Sequence, residues 1–478
     1  MRVFCFKPML CRYTKKRILA LILNKISAGM NFLYRFTTAL LLLLCQTPAY
    51  NLAAQTGETW PDSTYNYYVP DLLQYQDAVY NPEVKTVIFA PQNRPLAAPV
   101  ITLNGKDQLE LVFDVLGANA QNYSYTIEQC TWNWQPSVLD PFDYIDGFTR
   151  DDITNYRYAF NTYQSYVQYR LLFPNNSMRP TKSGNYLLKV YANDNPDDLL
   201  LTRRFMVSEN QLTVMPVLLT SGITQYFNTH QRINFTVGYN GFQVNNALEE
   251  IKVAVLQNNR WDNAITNLQP VFIRRNELVY NYIDQTLFEA GNEFRFFDTR
   301  TLRMNTERVR NITRDSTGCH VYLAPDAPRS PELDNGRFMV RLNYVDMNGK
   351  FQIGITDWGF TNLDADYTWV HFELPMEKPI PDGNIYIFGA LSDWNTLPQF
   401  QMHYNPKTKS YRGAAYLKQG LYDYQYVIKR DGGAPLTSSL LEGNFISTEN
   451  DYSILVYFHA FNSRYDRLVG YSYINSRR

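Results

Sequence analysis

Cysteine is scarce in this chain. Five occur in 478 residues, and Cys5, Cys11 and Cys45 fall within the first 54. Only Cys130 and Cys319 lie beyond, so a disulfide framework is excluded as the source of stability, and two buried thiols or a single bridge remain as alternatives. Histidine is also sparse. His230, His320, His371, His403 and His459 show no metal-ligand spacing with another His or Cys. Cys319 and His320 are adjacent, which on a strand points them to opposite faces. Neither a G-x-S-x-G elbow nor a phosphate-cradling glycine loop is present. A carboxylate pair for glycoside hydrolysis is spatial rather than sequential, so the sequence leaves it open. Long helical periodicity is missing as well.

Acidic residues are absent from residues 1–54, which carry eight basic ones. Arg35 precedes a short apolar run, Phe36–Leu44, too short for the roughly 20 residues of a spanning helix. Small-residue cleavage options follow at Ala49 and Ala54. This layout predicts a secretory signal peptide over 1–54, with Met30 as an alternative start. Cys45 follows Leu44 rather than a small residue, which argues against a lipoprotein signal. Beyond residue 54 the chain keeps 37 basic and 45 acidic residues, a balance of −8. Such a balance disfavours nucleic acid as a ligand.

What the chain has is aromatic residues, 37 Tyr and 28 Phe. Short alternating runs recur between Pro, Gly, Asn and Asp clusters. This predicts an all-β protein of serial antiparallel β-sandwiches, over 55–210, 211–365 and 366–478. In the first, Cys130-Thr131-Trp132-Asn133-Trp134 reads as a strand with Cys130 and both rings on one side, packed in the core or offered as a docking face. The loop Pro136–Phe148 carries Asp140, Asp143 and Asp146 at a spacing unlike an EF-hand, and reads as a solvated face. In the second, Phe338–Tyr344 and Phe351–Ile355 flank a hairpin turn at Asp346–Lys350 with an Asn-Gly signal. In the third, Tyr422, Tyr424 and Tyr426 alternate with Asp423, Gln425 and Val427.

The stretch Ile251–Asp298 organises the rest. Ile251, Val253 and Val255 alternate with Lys252 and Ala254, the mark of a half-buried strand. Gln257-Asn258-Asn259 ends the run, and Arg260-Trp261-Asp262 sets a large ring between opposite charges. In Asn292–Asp298, Glu293 and Arg295 point one way while Asn292, Phe294 and Phe296 point the other.

The pattern QNNRWDNAI…LVY…F.AGNEFRFFD resembles the plug protein family of the type IX secretion system. So do CTWNWQPS…DYIDGF…YRLLFPN, KSGNYLLKVY…RRFMV and KQGLYDYQYV…EGN…TENDYSI. The resemblance spans roughly Tyr67 to Asp466. It implies a periplasmic protein, associated with the outer membrane, that closes the periplasmic opening of the large type IX translocon barrel. It implies no catalysis and no cofactor or metal. Arg260, Trp261, Glu293 and Arg295 are the candidate partner-binding residues, since aromatic and Arg anchors dominate many interfaces. An internal salt bridge and a core ring are the alternative for these four. The third region resembles early-set sandwiches of starch- and glycogen-binding domains, through Gly389–Trp394 and Gly420–Tyr424. An exported glycan-binding protein using Trp394 is therefore the rival reading, and an exported hydrolase a second.

Overall fold

The computed structural model describes residues 73–331, 346–357, 359 and 361–477. The expected signal peptide and the expected strand Phe338–Tyr344 lie outside these residues. The described residues belong to one compact unit. Among them, no helix is long and apolar enough to cross a membrane.

Alternation builds the first sandwich. Leu109, Leu111, Phe113 and Val115 line one face of strand Leu109–Leu116 and are buried. This strand lies between Val84–Pro91 and Tyr166–Phe173, with Asn155–Tyr158 at the edge. The core fills the space to a second sheet containing Tyr123–Cys130, Gly184–Ala192 and Leu199–Ser208.

That second sheet does not stop at the expected boundary. Its order is Ile251–Gln257, Asp451–Phe458, Arg467–Asn475, Leu199–Ser208, Gly184–Ala192, Tyr123–Cys130, Asp151–Asp152. Strands from all three expected regions therefore share one sheet. Strand Ile251–Gln257 is correspondingly not half-buried but covered on both faces. Val253 and Val255 join a core with Ile233, Phe235 and Ile454. Ala254 and Leu256 join another with Trp134, Leu187 and Met206. The small, apolar Ala254 at an expected outward position is what lets the second face close.

The opposite wall of the middle sandwich is the sheet Thr213–Thr220, His230–Gly238, Glu277–Tyr280, Phe272–Arg274. The third sandwich begins well before residue 366. Arg295–Asp298 pairs with Gly420–Arg430, and Gly318–Leu323 pairs with Tyr367–Pro375. The chain thus exchanges strands between sandwiches instead of completing them one after another. Boundaries at 210/211 and 365/366 do not describe the pairing, because alternation identifies a strand but not its partner.

Both cysteines are free and buried. Burial pushes the Cys130 thiol up to about 12, an inert packing group. The expected strand Cys130–Trp134 is instead a strand end and a turn: Tyr123–Cys130 stops at Cys130, the Trp134 N–H donates to Thr131 O at 3.0 Å and Trp134 takes φ 64°, so Trp134 is buried, Trp132 half-buried and Asn133 exposed. At the turn Asp346–Lys350, Asn348 and Gly349 take φ of 54° and 77°. A Cβ on Gly349 would sit 2.4 Å from the Trp394 ring and 2.6 Å from Phe294, so only glycine fits.

The first and third sandwiches are joined by an ion pair with no solvent access. Lys418 Nζ donates to Asp114 Oδ2 at 2.6 Å, with side-chain exposures of 0% and 1%. Tyr367 donates its hydroxyl to the same oxygen at 2.7 Å, and Gln168 donates to Oδ1 at 3.2 Å. The ammonium also lies 4.0 Å from the centre of the Tyr166 ring. Lys418→Met leaves the Asp114 carboxylate buried without its cation. It should destabilise the protein by about 3–5 kcal/mol in urea unfolding. The double variant Lys418→Met/Asp114→Asn should recover part of that loss.

Candidate functional site

Asn258 and Asn259 occupy the left-handed region at φ 54° and 58°, where asparagine is tolerated. Asn258 is clamped to the far end of the chain. Its backbone N–H donates to Asp451 O at 2.7 Å and its amide to Asn450 Oδ1 at 2.8 Å. The backbone N–H of Asp451 donates back to Asn258 Oδ1 at 2.9 Å. This turn aims Arg260 and Trp261 into the seam between sandwiches. Arg260 pairs with Asp262 through Nε at 3.0 Å and Nη2 at 2.6 Å. Its guanidinium lies 5.1 Å from the Phe388 ring and 5.0 Å from Trp394. Trp261 meets Trp134 edge to face at 5.2 Å. Arg204, whose Nε donates to Tyr75 O at 2.8 Å, lies 4.4 Å from Trp134 and 5.7 Å from Trp261. Stacked cations and rings thus tie residues of the first, middle and third regions together.

Arg295 is not an exposed anchor. It is 6% exposed and sits inside the third sandwich. Nε donates to Glu442 Oε1 at 2.9 Å, Nη1 to Asp326 Oδ1 at 3.0 Å and Nη2 to Ala327 O at 2.8 Å. Tyr424 and Tyr426 donate to Asp326 Oδ2 at 2.6 and 2.8 Å. Arg329 shares Glu442, donating through Nε at 2.7 Å. A guanidinium with its forks filled in this way tolerates full burial. Glu293 precedes the strand, which is Arg295–Asp298, and turns toward the chain end. It pairs with Arg477 and accepts from the Glu449 N–H at 3.1 Å. The expected common face of Glu293 and Arg295 is therefore absent. Of the four candidates only Arg295 is fully enclosed; Arg260, with a side chain 12% exposed, and Trp261 are half-buried at the seam, and Glu293 is half-buried elsewhere.

Sequence spacing misses two clusters. Glu293, Asp346 and Asp423 form a chain of carboxylates. Asp346 accepts N–H bonds from Phe294 and Asn348, both at 2.6 Å, and hydrogen-bonds Asp423. Asp423 accepts from the Met347 N–H at 2.7 Å. Burial, with Asp423 adding, pushes Asp346 up to about 7, and burial also pushes Glu293 up. The second cluster is His320 and His371, brought together by parallel pairing with Nδ1 and Nε2 at 2.9 Å. Burial pushes His371 down to about 3, with His320 adding. Among the described residues, no three His, Cys, Asp or Glu side chains converge as a metal-binding group. Trp394 is half-buried, edge-on to Phe388 at 5.5 Å and to Phe294 at 6.0 Å. The aromatics that do face solvent include Tyr156, Tyr158, Phe160 and Tyr163.

Residues 84–209 match the family model for the type 9 secretion system plug protein 1st domain. The chain belongs to the type IX secretion system plug family. Its fold is similar to the crystal structure of a hypothetical protein from Parabacteroides merdae. That likeness has a TM-score of 0.79 at 32% identity, over 85% of this chain and 100% of the other. No curated protein matches the chain. The plug-family match covers the first sandwich, so the carboxylate chain and the Arg295 network lie outside it.

In this plug-family chain the carboxylate chain gives stability a pH dependence of known sign. Asp346 binds its proton more tightly folded than unfolded. Its contribution is therefore complete below the usual carboxylate range and is lost as pH rises through about 7. Urea midpoints of the wild type and of Asp346→Asn, measured from pH 4 to pH 8, should diverge in the variant's favour as pH rises. A difference constant across that range would contradict this.

Proposed function

We propose that the chain is a non-catalytic component of the type IX secretion system that closes the periplasmic opening of the large outer-membrane translocon barrel. The match of residues 84–209 to a plug-protein domain carries this reading. The chain is exported to the periplasm and held at the outer membrane through the barrel. Pore closure needs a body that keeps its shape under contact. Braces such as Lys418–Asp114 and Arg295–Glu442 tie elements distant in sequence into such a body. Arg260, Trp261, Glu293 and Arg295 then act by holding the docking face in shape rather than by forming it. A seal that must also release favours a polar, partly aromatic contact. The exposed row Tyr156, Tyr158, Phe160 and Tyr163 fits that description.

The rival glycan-binding reading needs an open ring at Trp394. That ring is flanked by Phe388 and Phe294, with Arg260 over it, which favours the plug reading. The test is deletion of the protein with the barrel retained, followed by uptake of a large antibiotic that the intact outer membrane excludes. Uptake should rise on deletion and return to baseline with the wild-type chain. Uptake unchanged by deletion would remove the plug mechanism.

A further inference from the structure

Strands Val309–Asp315 and Gly318–Leu323 of the third sandwich form a hairpin, and the second of them runs parallel to Tyr367–Pro375. Alternation sends Cys319, Val321 and Leu323 into the interior and leaves His320 and Tyr322 on the opposite face. The parallel register sets Tyr322 beside His371, and their rings stack with centroids 4.4 Å apart. His320 Nδ1 then lies 2.9 Å from His371 Nε2.

The hairpin turn settles which nitrogen of His320 carries the proton. Thr317 donates its hydroxyl to Asp315 Oδ1 at 2.6 Å, and its backbone N–H donates to the same oxygen at 2.8 Å. The hydroxyl has one proton, and Asp315 takes it. The 2.8 Å contact between Thr317 Oγ1 and His320 Nε2 is therefore a bond that the imidazole donates. Asp315 Oδ1 itself lies 3.3 Å from that nitrogen. A neutral His320 protonated at Nε2 has its lone pair at Nδ1, aimed at His371. An imidazole whose far N–H is held by a hydroxyl and a carboxylate is oriented in the way that metal-ligating histidines are. Burial, with His320 adding, keeps the His371 ring neutral at pH 7, the form that binds a metal.

The separation of the two nitrogens discriminates between geometries. With metal–nitrogen bonds of about 2.0–2.1 Å, neighbouring nitrogens lie about 2.9 Å apart in a square plane and about 3.3 Å apart in a tetrahedron. The observed 2.9 Å matches the square plane, the geometry of copper(II) and nickel(II) rather than zinc(II). Of these, copper(II) binds imidazole most tightly.

We infer that His320 Nδ1 and His371 Nε2 form a two-imidazole site for a divalent transition metal that favours a square plane, copper(II) above all. The ion takes the place of the hydrogen between the two nitrogens. The Nε2 proton of His371 moves to Nδ1 of the same ring, so both rings stay neutral. Among the described residues no third His, Cys, Asp or Glu converges here, so water fills the remaining positions. The His320 side chain is 13% exposed, which gives the ion a way in. The site is independent of the plugging role and lies outside residues 84–209.

The test is titration of residues 55–478, without an affinity tag, with copper(II) chloride in a buffer that does not coordinate metals. One equivalent should bind saturably, and electron paramagnetic resonance should show a tetragonal signal split by two imidazole nitrogens. Zinc(II) should bind at least about ten-fold more weakly. His320→Gln and His371→Phe, the latter keeping a ring against Tyr322, should each weaken copper(II) at least about ten-fold. Thr317→Val, which removes the hydroxyl that orients His320, should weaken it by about ten-fold. Circular dichroism checks that each variant folds, and His320→Gln, at the more exposed position, carries the test if His371→Phe does not. Absence of binding at one equivalent, or binding that the folded histidine variants leave unchanged, overturns the site. Zinc(II) binding as tightly as copper(II) overturns the square-planar assignment, and an unchanged affinity in Thr317→Val overturns the orienting role of the turn.

Discussion

The fold depends on a lysine and an aspartate 304 residues apart that meet with no access to water. Strand Leu109–Leu116 shows why this matters. One of its faces fills the first sandwich with Leu109, Leu111, Phe113 and Val115. The other carries Asp114, a residue that cannot be covered by apolar packing alone. It is covered because Lys418, Tyr367 and Gln168 supply donors. Ion pairs of this kind add little net stability compared with apolar packing, but breaking one side is costly. Their use is to fix which surfaces meet. Around this pair Asp366 accepts the N–H groups of Tyr163 and Gln164, and the Tyr166 hydroxyl donates to Ala365 O at 3.0 Å. The first and third sandwiches are therefore registered by polar contacts rather than by a greasy seam.

Two other links repeat the principle. The clamp of Asn258 on Asn450 and Asp451 joins the end of strand Ile251–Gln257 to the start of its neighbour Asp451–Phe458. The Arg295–Glu442–Asp326 network joins the entry of the third sandwich to its last short helix, Ser439–Glu442. Each link spans a large separation in sequence and closes a strand exchange. A chain threaded in this way cannot release one sandwich without exposing buried charge in another, and this is the mechanical property that the proposed plugging role requires.

The fold class was legible because its signal is local. Alternation along Leu109–Val115 or Tyr422–Tyr426 marks strands whatever they pair with. Pairing was not legible. Nothing near Ile251 announces Asp451–Phe458 as its partner, and Ala254 reads equally well as an outward or an inward position. The same limit governs the candidate site. Arg295 and Trp261 have the composition of interface anchors, but Glu442 lies 147 residues from Arg295 and Trp134 lies 127 residues from Trp261. A charged or aromatic residue is a surface anchor or an internal brace according to partners that spacing does not reveal. The His320–His371 contact and the Asp346–Asp423 pair were hidden for the same reason. The family motifs were legible because they are contiguous.

The central claim is that these exchanged strands and buried polar links make a single mechanical body. Differential scanning calorimetry of residues 55–478 tests it most directly. The account predicts one transition whose calorimetric enthalpy equals its van't Hoff enthalpy. Two resolved transitions, one of them moved selectively by a substitution confined to the third sandwich, would contradict it.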